Sequence, residues 1–270
     1  MVGIEGGDWR MKSEEKQAGQ STSLEMILYP VPLAIALVAW YFYTNGSKEH
    51  QFFFSSPEQV WNALVSLSAS GELLRNAGVT VFEAVCGFLL GTVSGAIGGL
   101  ALWYSKTVAK VARPYITALA TVPIFALAPI IIVIFGIGIL SKVMLAFIST
   151  VAVAIVQSYQ GAMSVETRYL RLMQVVGASR LQVFRLVVIP SSLIWVINAM
   201  KLNIGLALLG AFIGEFISAE EGLGYMIVKA SGLYDMATVL VGVTALVVIA
   251  LILNAVVEQL ENVLLKWRRA

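Results

Sequence analysis

The 270-residue sequence holds a single cysteine, a single histidine and only 13% charged residues. With Cys86 alone, no intramolecular disulfide can form. His50 stands alone in a polar connector, so no histidine-based metal site is expected and no metal ligands are assigned. The phosphate-cradling pattern G-x4-G-K-[ST] is missing, and Gly136 and Gly138 lack the third glycine of a dinucleotide fingerprint. If ATP drives this chain, another chain must bind it. No paired histidines and no nucleophile–base pair stand out, so no catalytic residue is assigned and an enzyme is not expected. A net charge of +2 is too small to argue for nucleic acid.

What the chain has instead is apolar residue: 59% of the sequence, with mean hydropathy +0.85. Soluble domains sit near 45–50% apolar, so a membrane domain follows. A bilayer core of about 30 Å needs roughly 20 apolar residues of helix. Six stretches qualify, at 24–43, 77–103, 114–135, 140–161, 191–217 and 236–262. They must be helices, because unpaired backbone in lipid is too costly and no many-stranded alternation of period two is present. Residues 1–23 mix acidic and basic side chains without a cleavable apolar core, and read as a cytoplasmic tail.

Lys and Arg set the orientation. With a cytoplasmic N-terminus the inner side holds Arg10, Lys12, Lys16, Lys106, Lys110, Arg113, Arg168, Arg171, Arg180, Arg185, Lys266, Arg268 and Arg269. The outer side holds Lys48, Arg75, Lys142 and Lys229, and Lys201 falls within a span. Both termini are therefore expected inside. After the first span, Ser56, Pro57 and Gln59 form a helix-start signal, and Trp61 suits the interface. The connector 104–113 reads as short and basic.

The inner connector, 162–190, carries two helical patterns. Val165, Tyr169, Leu172, Met173 and Val176 share one face of the first, with Glu166, Arg168, Arg171 and Gln174 opposite. Gly177 is a helix stop, and Ser179 with Gln182 is a capping box that starts a second helix. Leu181, Phe184 and Val188 give that helix its apolar face, and Pro190 marks where the next span begins. An amphipathic loop lying on the membrane and a pair of helices docking into a partner's groove both fit this pattern.

Gly177, nine residues, then Val187, Val188, Ile189 and Pro190 match the G-x9-I-x-L-P pattern of ATP-binding-cassette (ABC) importer permeases. GFLLG at 87–91, VPIFALAP at 122–129, FGIGILSK at 135–142, GASR at 177–180, and GEF with GLGY within 214–225 are similar to the nitrate/sulfonate/taurine-type branch. The resemblance covers about residues 57–265. It implies an all-α type I importer fold of six transmembrane helices in the bacterial inner membrane. It divides the chain into a tail (1–23), a first helix with its outer connector (24–56), the permease domain (57–265) and a cytoplasmic end (266–270).

It also implies partners: a second permease copy, an external substrate-binding protein, and cytoplasmic ATPase subunits that carry ATP and magnesium, with no cofactor on this chain. Segment 164–190 becomes the ATPase-coupling loop, with Glu166, Arg168, Arg171, Gly177, Ala178, Ser179, Arg180 and Pro190 as its site residues. Where the family carries Glu-Ala-Ala, this sequence has Arg171, Leu172 and Met173. Its Arg-Pro-x-Pro-Pro run is replaced by Ala120-Thr121-Val122-Pro123-Ile124, and Leu127 stands for a tryptophan. The pathway thus reads as less cationic and less aromatic than in relatives carrying sulfonates. Nitrate, bicarbonate, sulfonates or other organic acids, and vitamin precursors, all stay open as cargo, with an ATP-independent carrier or channel as the rival function.

Four further expectations concern single residues. Gly87, Gly91, Gly95 and Gly99 recur every four residues, which suits close helix packing, or a sliding contact during gating. Pro123 and Pro129 interrupt the third span, as pathway features or plain kinks. Lys201 and Glu215 in the fifth span are candidates for the pathway or gate, with snorkelling as the plainer reading of Lys201. Glu83 reads as a structural charge within the bundle. The segment SAEEGLGYMIVKASGLYD reads as an outer loop with Glu220 and Glu221 before a flexible glycine pair.

Overall fold

The computed structural model describes residues 30–265, and regular structure among them is entirely helical. The expected tail, the first residues of the first span and the basic C-terminus lie outside the described residues. Two units meet at Asn62/Ala63.

The first unit holds α1 (Val31–Asn45), α2 (Lys48–Phe54) and the start of α3 (Pro57–Ala69). At 1.5 Å per residue α1 spans about 22 Å, short of a bilayer core, so its described part does not reach the length expected for 24–43. Ser47 caps α2, accepting from the Glu49 amide at 3.1 Å. His50 stacks on Tyr43 with ring centroids 4.2 Å apart, and its Nδ1 lies 3.0 Å from the Tyr43 carbonyl. The start signal of α3 is formed: Gln59 N–H donates to Ser56 Oγ, and Ser56 N–H donates to Gln59 Oε1 at 2.9 Å.

The second unit is a bundle of α4 (Glu72–Ala101), α5 (Lys106–Thr121), α6 (Ile124–Phe135), α7 (Ile139–Met163), α8 (Thr167–Val175), α9 (Arg180–Val183), α10 (Ile189–Ser218), α11 (Leu223–Gly232) and α12 (Met236–Leu264). A 3-10 turn, Leu102–Tyr104, ends α4, and a π turn, Phe184–Val188, joins α9 to α10. Helix α7 lies between α4 and α10, packed on both. Ala84, Ala146, Ile204, Ala207 and Leu208 close the main core with Leu223, Met226 and Ile249.

Four helical stretches are long and apolar enough to cross a membrane: 72–104, 139–163, 180–218 and 236–264. The expected third span, 114–135, falls on two helices, α5 and α6, that are apolar enough together to cross a membrane and are bent by 95°. Val122 precedes Pro123 and takes an extended conformation (φ −67°, ψ 126°), which ends α5. Pro129 does not break the chain and sits inside α6. The expected basic connector 104–113 is also corrected. Ser105 accepts from the Val108 amide and starts α5 there, so Lys106, Lys110 and Arg113 ride on helix.

Candidate functional site

The connector after α7 is built from local capping chemistry. Gly177 has φ +72°, its N–H donates to the Gln174 carbonyl, and Ala178 N–H donates to that of Met173 at 2.9 Å. This pair of bonds is a Schellman stop for α8. Two residues on, Ser179 N–H donates to Gln182 Oε1 at 2.7 Å while Ser179 Oγ accepts from the Gln182 amide. The second helix does not end at Pro190, as the sequence suggested. It runs through the π turn into α10 as one stretch, 180–218. Pro190 has no N–H to give to a regular α-turn, and the neighbouring Ile189 N–H bonds five residues back to Phe184.

The apolar face of α8 also differs from expectation. Val165, Leu170, Met173 and Ala178 pack inward with Val183, Val188, Trp103 and Phe184. Tyr169, Leu172 and Val176 face outward, as does Val175, which is 85% exposed. Arg180 ties α9 to the end of α4: its Nη2 donates to the Tyr104 carbonyl and its guanidinium lies 5.6 Å from the Trp103 and Tyr104 ring centroids. Phe184 packs on Tyr104 at 4.8 Å. Arg168 pairs with Glu166 at 2.7 Å and covers Tyr169, while Arg171 is exposed.

At the opposite end of the bundle, the loop from α10 to α11 is held rather than flexible. Gly222 N–H donates to Asn76 Oδ1 at 2.8 Å, Leu223 N–H to Thr80 Oγ1 at 2.9 Å, and Gly224 N–H to Glu215 Oε2 at 2.6 Å. Thr80 Oγ1 in turn donates to Glu215 Oε1 at 2.6 Å. Three amides that α11 cannot satisfy itself thus find partners on α4 and α10, and a carboxylate meets the positive end of the helix. Gly222 has φ +110°, and a Cβ there would run into the Glu215 carboxyl. Glu215 is 1% exposed and caps α11, each carboxylate oxygen accepting one of these bonds. Lys142, expected on the outer surface, is 4% exposed, and its Nζ donates to the carbonyls of Ile137 and Ser218.

The glycines of α4 lie directly against α7. A Cβ on Gly87 would stand 2.8 Å from the Val143 carbonyl oxygen, on Gly91 2.8 Å from that of Phe147, and on Gly95 2.6 Å from that of Val151. On Gly99 it would stand 3.0 Å from the Tyr159 amide. Lys201 pairs with Glu261 Oε2 of α12 at 2.5 Å. Two hollows lie between α5 and α7, the first reaching the 95° break. One, of about 160 Å³, lies between the break and Ile148, Ser149 and Leu206 and has no charged lining. The other, of about 360 Å³, is lined by Lys110, Arg113, Thr117, Tyr159 and Gln160.

Residues 87–269 match the family described as the binding-protein-dependent transport system inner membrane component. The chain belongs to this family. The permease is 30% identical to the formylaminopyrimidine transport permease protein ThiX of Halalkalibacterium halodurans, over 81% of its own length and 87% of that protein. It is 30% identical to the riboflavin transport system permease protein RibX of Chloroflexus aurantiacus, over 88% and 89% of the two chains. Identity to the taurine transport system permease protein TauC of Escherichia coli is 26%, over 87% of each. An inward-facing MetNI methionine ABC transporter chain has the same fold, with TM-score 0.65 and 17% identity over 73% of the permease and 98% of that chain.

The permease is therefore an integral inner-membrane subunit of a binding-protein-dependent importer, with a type I fold, a transport subunit rather than an enzyme. Membership implies ATPase and substrate-binding-protein partners. Several residues that build its two ends carry no sequence signal. Asn76 and Thr80 pass as ordinary polar residues of an apolar helix, yet each bonds a chain segment over 140 residues away. Gly210 and Gly214 pack on α7 from the far side, a Cβ on Gly210 falling 2.6 Å from Ala146 Cα. Their spacing of four is the signal that could have found them.

Proposed function

We propose that two copies of the permease enclose a pathway, that an ATPase grips α8 and α9 on the cytoplasmic side, and that a binding protein delivers solute at the α10–α11 end. One observation carries the ATPase contact. Leu172, Val175 and Val176 form an exposed apolar edge on a helix whose other face is packed, next to the Arg180 tie to α4. Alternating access then consists of α4 and α10 moving with this segment as the ATPases close. Val175→Glu tests the contact, because a charge at so exposed a site leaves the fold within about 0.5 kcal/mol. The expected result is an inserted, thermally normal protein that no longer co-purifies with its ATPase or supports uptake. Retained co-purification and uptake would sink the reading in favour of an ATP-independent carrier.

For the cargo, an uncharged ring-bearing solute fits best. The hollow beside the break offers apolar walls and the Ser149 hydroxyl, with no charge to pair an ion. The relatives named for formylaminopyrimidine and riboflavin transport support this choice. A small anion such as nitrate, bicarbonate or a sulfonate is the second reading, favoured by Lys110 and Arg113 in the neighbouring hollow. Uptake by the reconstituted transporter, competed with riboflavin, an aminopyrimidine, nitrate and taurine in turn, separates the two.

A further inference from the structure

A cavity of about 500 Å³ opens at the α10–α11 end, between α4, the start of α7 and the loop after α10. Its walls include Glu83, Lys142, Ser218, Glu220 and Glu221. Two polar atoms of this wall are buried without a hydrogen-bond partner: Glu83 Oε2 and Ser218 Oγ. Glu83 is 98% removed from solvent (2% exposed), and its nearest charged companions are a second carboxyl, Glu215, and the Lys142 ammonium. The Lys142 ammonium is already engaged by two backbone carbonyls. Glu221 is matched by Arg75 at 3.5 Å on the rim, and among the described residues Glu220 meets a basic group only through the longer-range attraction of Lys142. Four carboxyls therefore meet two cations; the Glu83 carboxyl lies in hydrogen-bonding contact with that of Glu215, and its Oε2 finds no N–H or O–H donor. A buried carboxyl in this position is costly unless a donor or a positive charge reaches it.

We propose that this cavity binds a small organic cation that donates N–H hydrogen bonds, a primary ammonium head, between Glu83 and Ser218. The chemistry follows from the wall. A charge-assisted N–H bond to Glu83 supplies the missing donor, the Ser218 hydroxyl accepts a second, and the rim carboxyls favour arrival of a positive charge. The head belongs to a lysine side chain of the docked binding protein or, against the uncharged cargo favoured above, to the cargo itself. Only this choice rests on the importer reading, while the binding does not.

The first arm uses the full-length protein in detergent at fixed ionic strength, titrated with methylammonium and, as a control of equal charge without N–H, tetramethylammonium. Methylammonium is expected to raise the melting temperature saturably, and tetramethylammonium to do nothing. Glu83→Gln should weaken the methylammonium response at least tenfold. Ser218→Ala, a small change at a partly exposed position, should weaken it several-fold and keeps the test alive if the first variant fails to insert. Equal responses to the two cations, or an unchanged response in Ser218→Ala, would overturn the site, meaning that the carboxyls are compensated within the protein.

The second arm places Ser218→Ala in the reconstituted transporter. A several-fold rise in the binding-protein concentration that half-saturates ATP hydrolysis identifies the head as the partner's side chain. Lower uptake at saturating binding protein, with that half-saturation unchanged, identifies it as the cargo's. No change in either overturns the proposal, whereas loss of ATPase coupling in Val175→Glu bears only on the other end of the molecule.

Discussion

Glu215 Oε2 accepts the Gly224 amide at 2.6 Å, and this contact clasps the end of α10 to the start of α11. The GEF and GLGY runs, nine residues apart in their key members, thus form one cap. Glu215→Ala would leave the Gly224 amide buried and unmatched, at about 1–3 kcal/mol for the unsatisfied group, while the Thr80 hydroxyl falls back on the Asn76 carbonyl at 3.2 Å. A marked fall in melting temperature in detergent is expected, and Glu215→Gln should retain part of the loss, since its carbonyl can still accept one bond. A normal melting temperature in Glu215→Ala would show that the cap contributes nothing.

Glycines along α4 divide into two kinds. Gly95 faces the Val151 carbonyl, whereas a Cβ on Gly78 would meet open space. Gly95→Ala should force α4 from α7 and cost about 1–3 kcal/mol, the range for overpacking a tight contact. Gly78→Ala should gain about 0.5–1 kcal/mol by restricting the unfolded chain and improving helix propensity. The order of the two melting temperatures, Gly95→Ala below wild type and Gly78→Ala at or above it, is the check.

At Gly177, φ +72° makes the backbone itself selective. Gly177→Ala should cost roughly 1–2 kcal/mol for a left-handed non-glycine residue and leave coupling partly intact. Gly177→Pro fixes φ near −65° and removes the N–H that bonds Gln174. ATP hydrolysis that no longer depends on binding protein, with normal membrane insertion, is the outcome for proline. Hydrolysis and uptake equal to wild type would contradict it.

Arg180 holds the Tyr104 carbonyl while lying against two aromatic rings. A lysine keeps the charge but loses the flat, forked donor. Uptake per ATP should therefore fall in the order wild type, Arg180→Lys, Arg180→Ala. Identical ratios for lysine and alanine would mean that stacking and hydrogen bond count for nothing beyond charge removal.

Features set by residues three or four apart were legible in the sequence. The Ser56–Gln59 and Ser179–Gln182 boxes, the Gly177 stop and the α4 glycine face are all of this kind, because capping and helix periodicity are local. Of the six apolar runs, four fall on unbroken helices long enough to cross a membrane, for the same reason. What depends on distant segments was not legible. Val165, Leu170 and Met173 pack inward on α8 because Trp103 and Phe184 come to meet them, so the outward edge shifted to Leu172, Val175 and Val176. Lys142 reads as a surface charge until the Ser218 carbonyl, 76 residues on, is placed above it. The proline signal located the break at Val122–Pro123 but carried no angle, and Pro190 suggested a boundary that the π turn absorbs.

The bend between α8 and α9 has a mechanical consequence. Four backbone and side-chain bonds, Gly177 to Gln174, Ala178 to Met173, Ser179 to Gln182 and its reciprocal, close within the ten residues 173–182. An elbow knitted in this way has little compliance. Beyond it the chain stays helical from Arg180 to Ser218, so a displacement of α8 is delivered along a single strut, with little of the stroke lost to bending on the way.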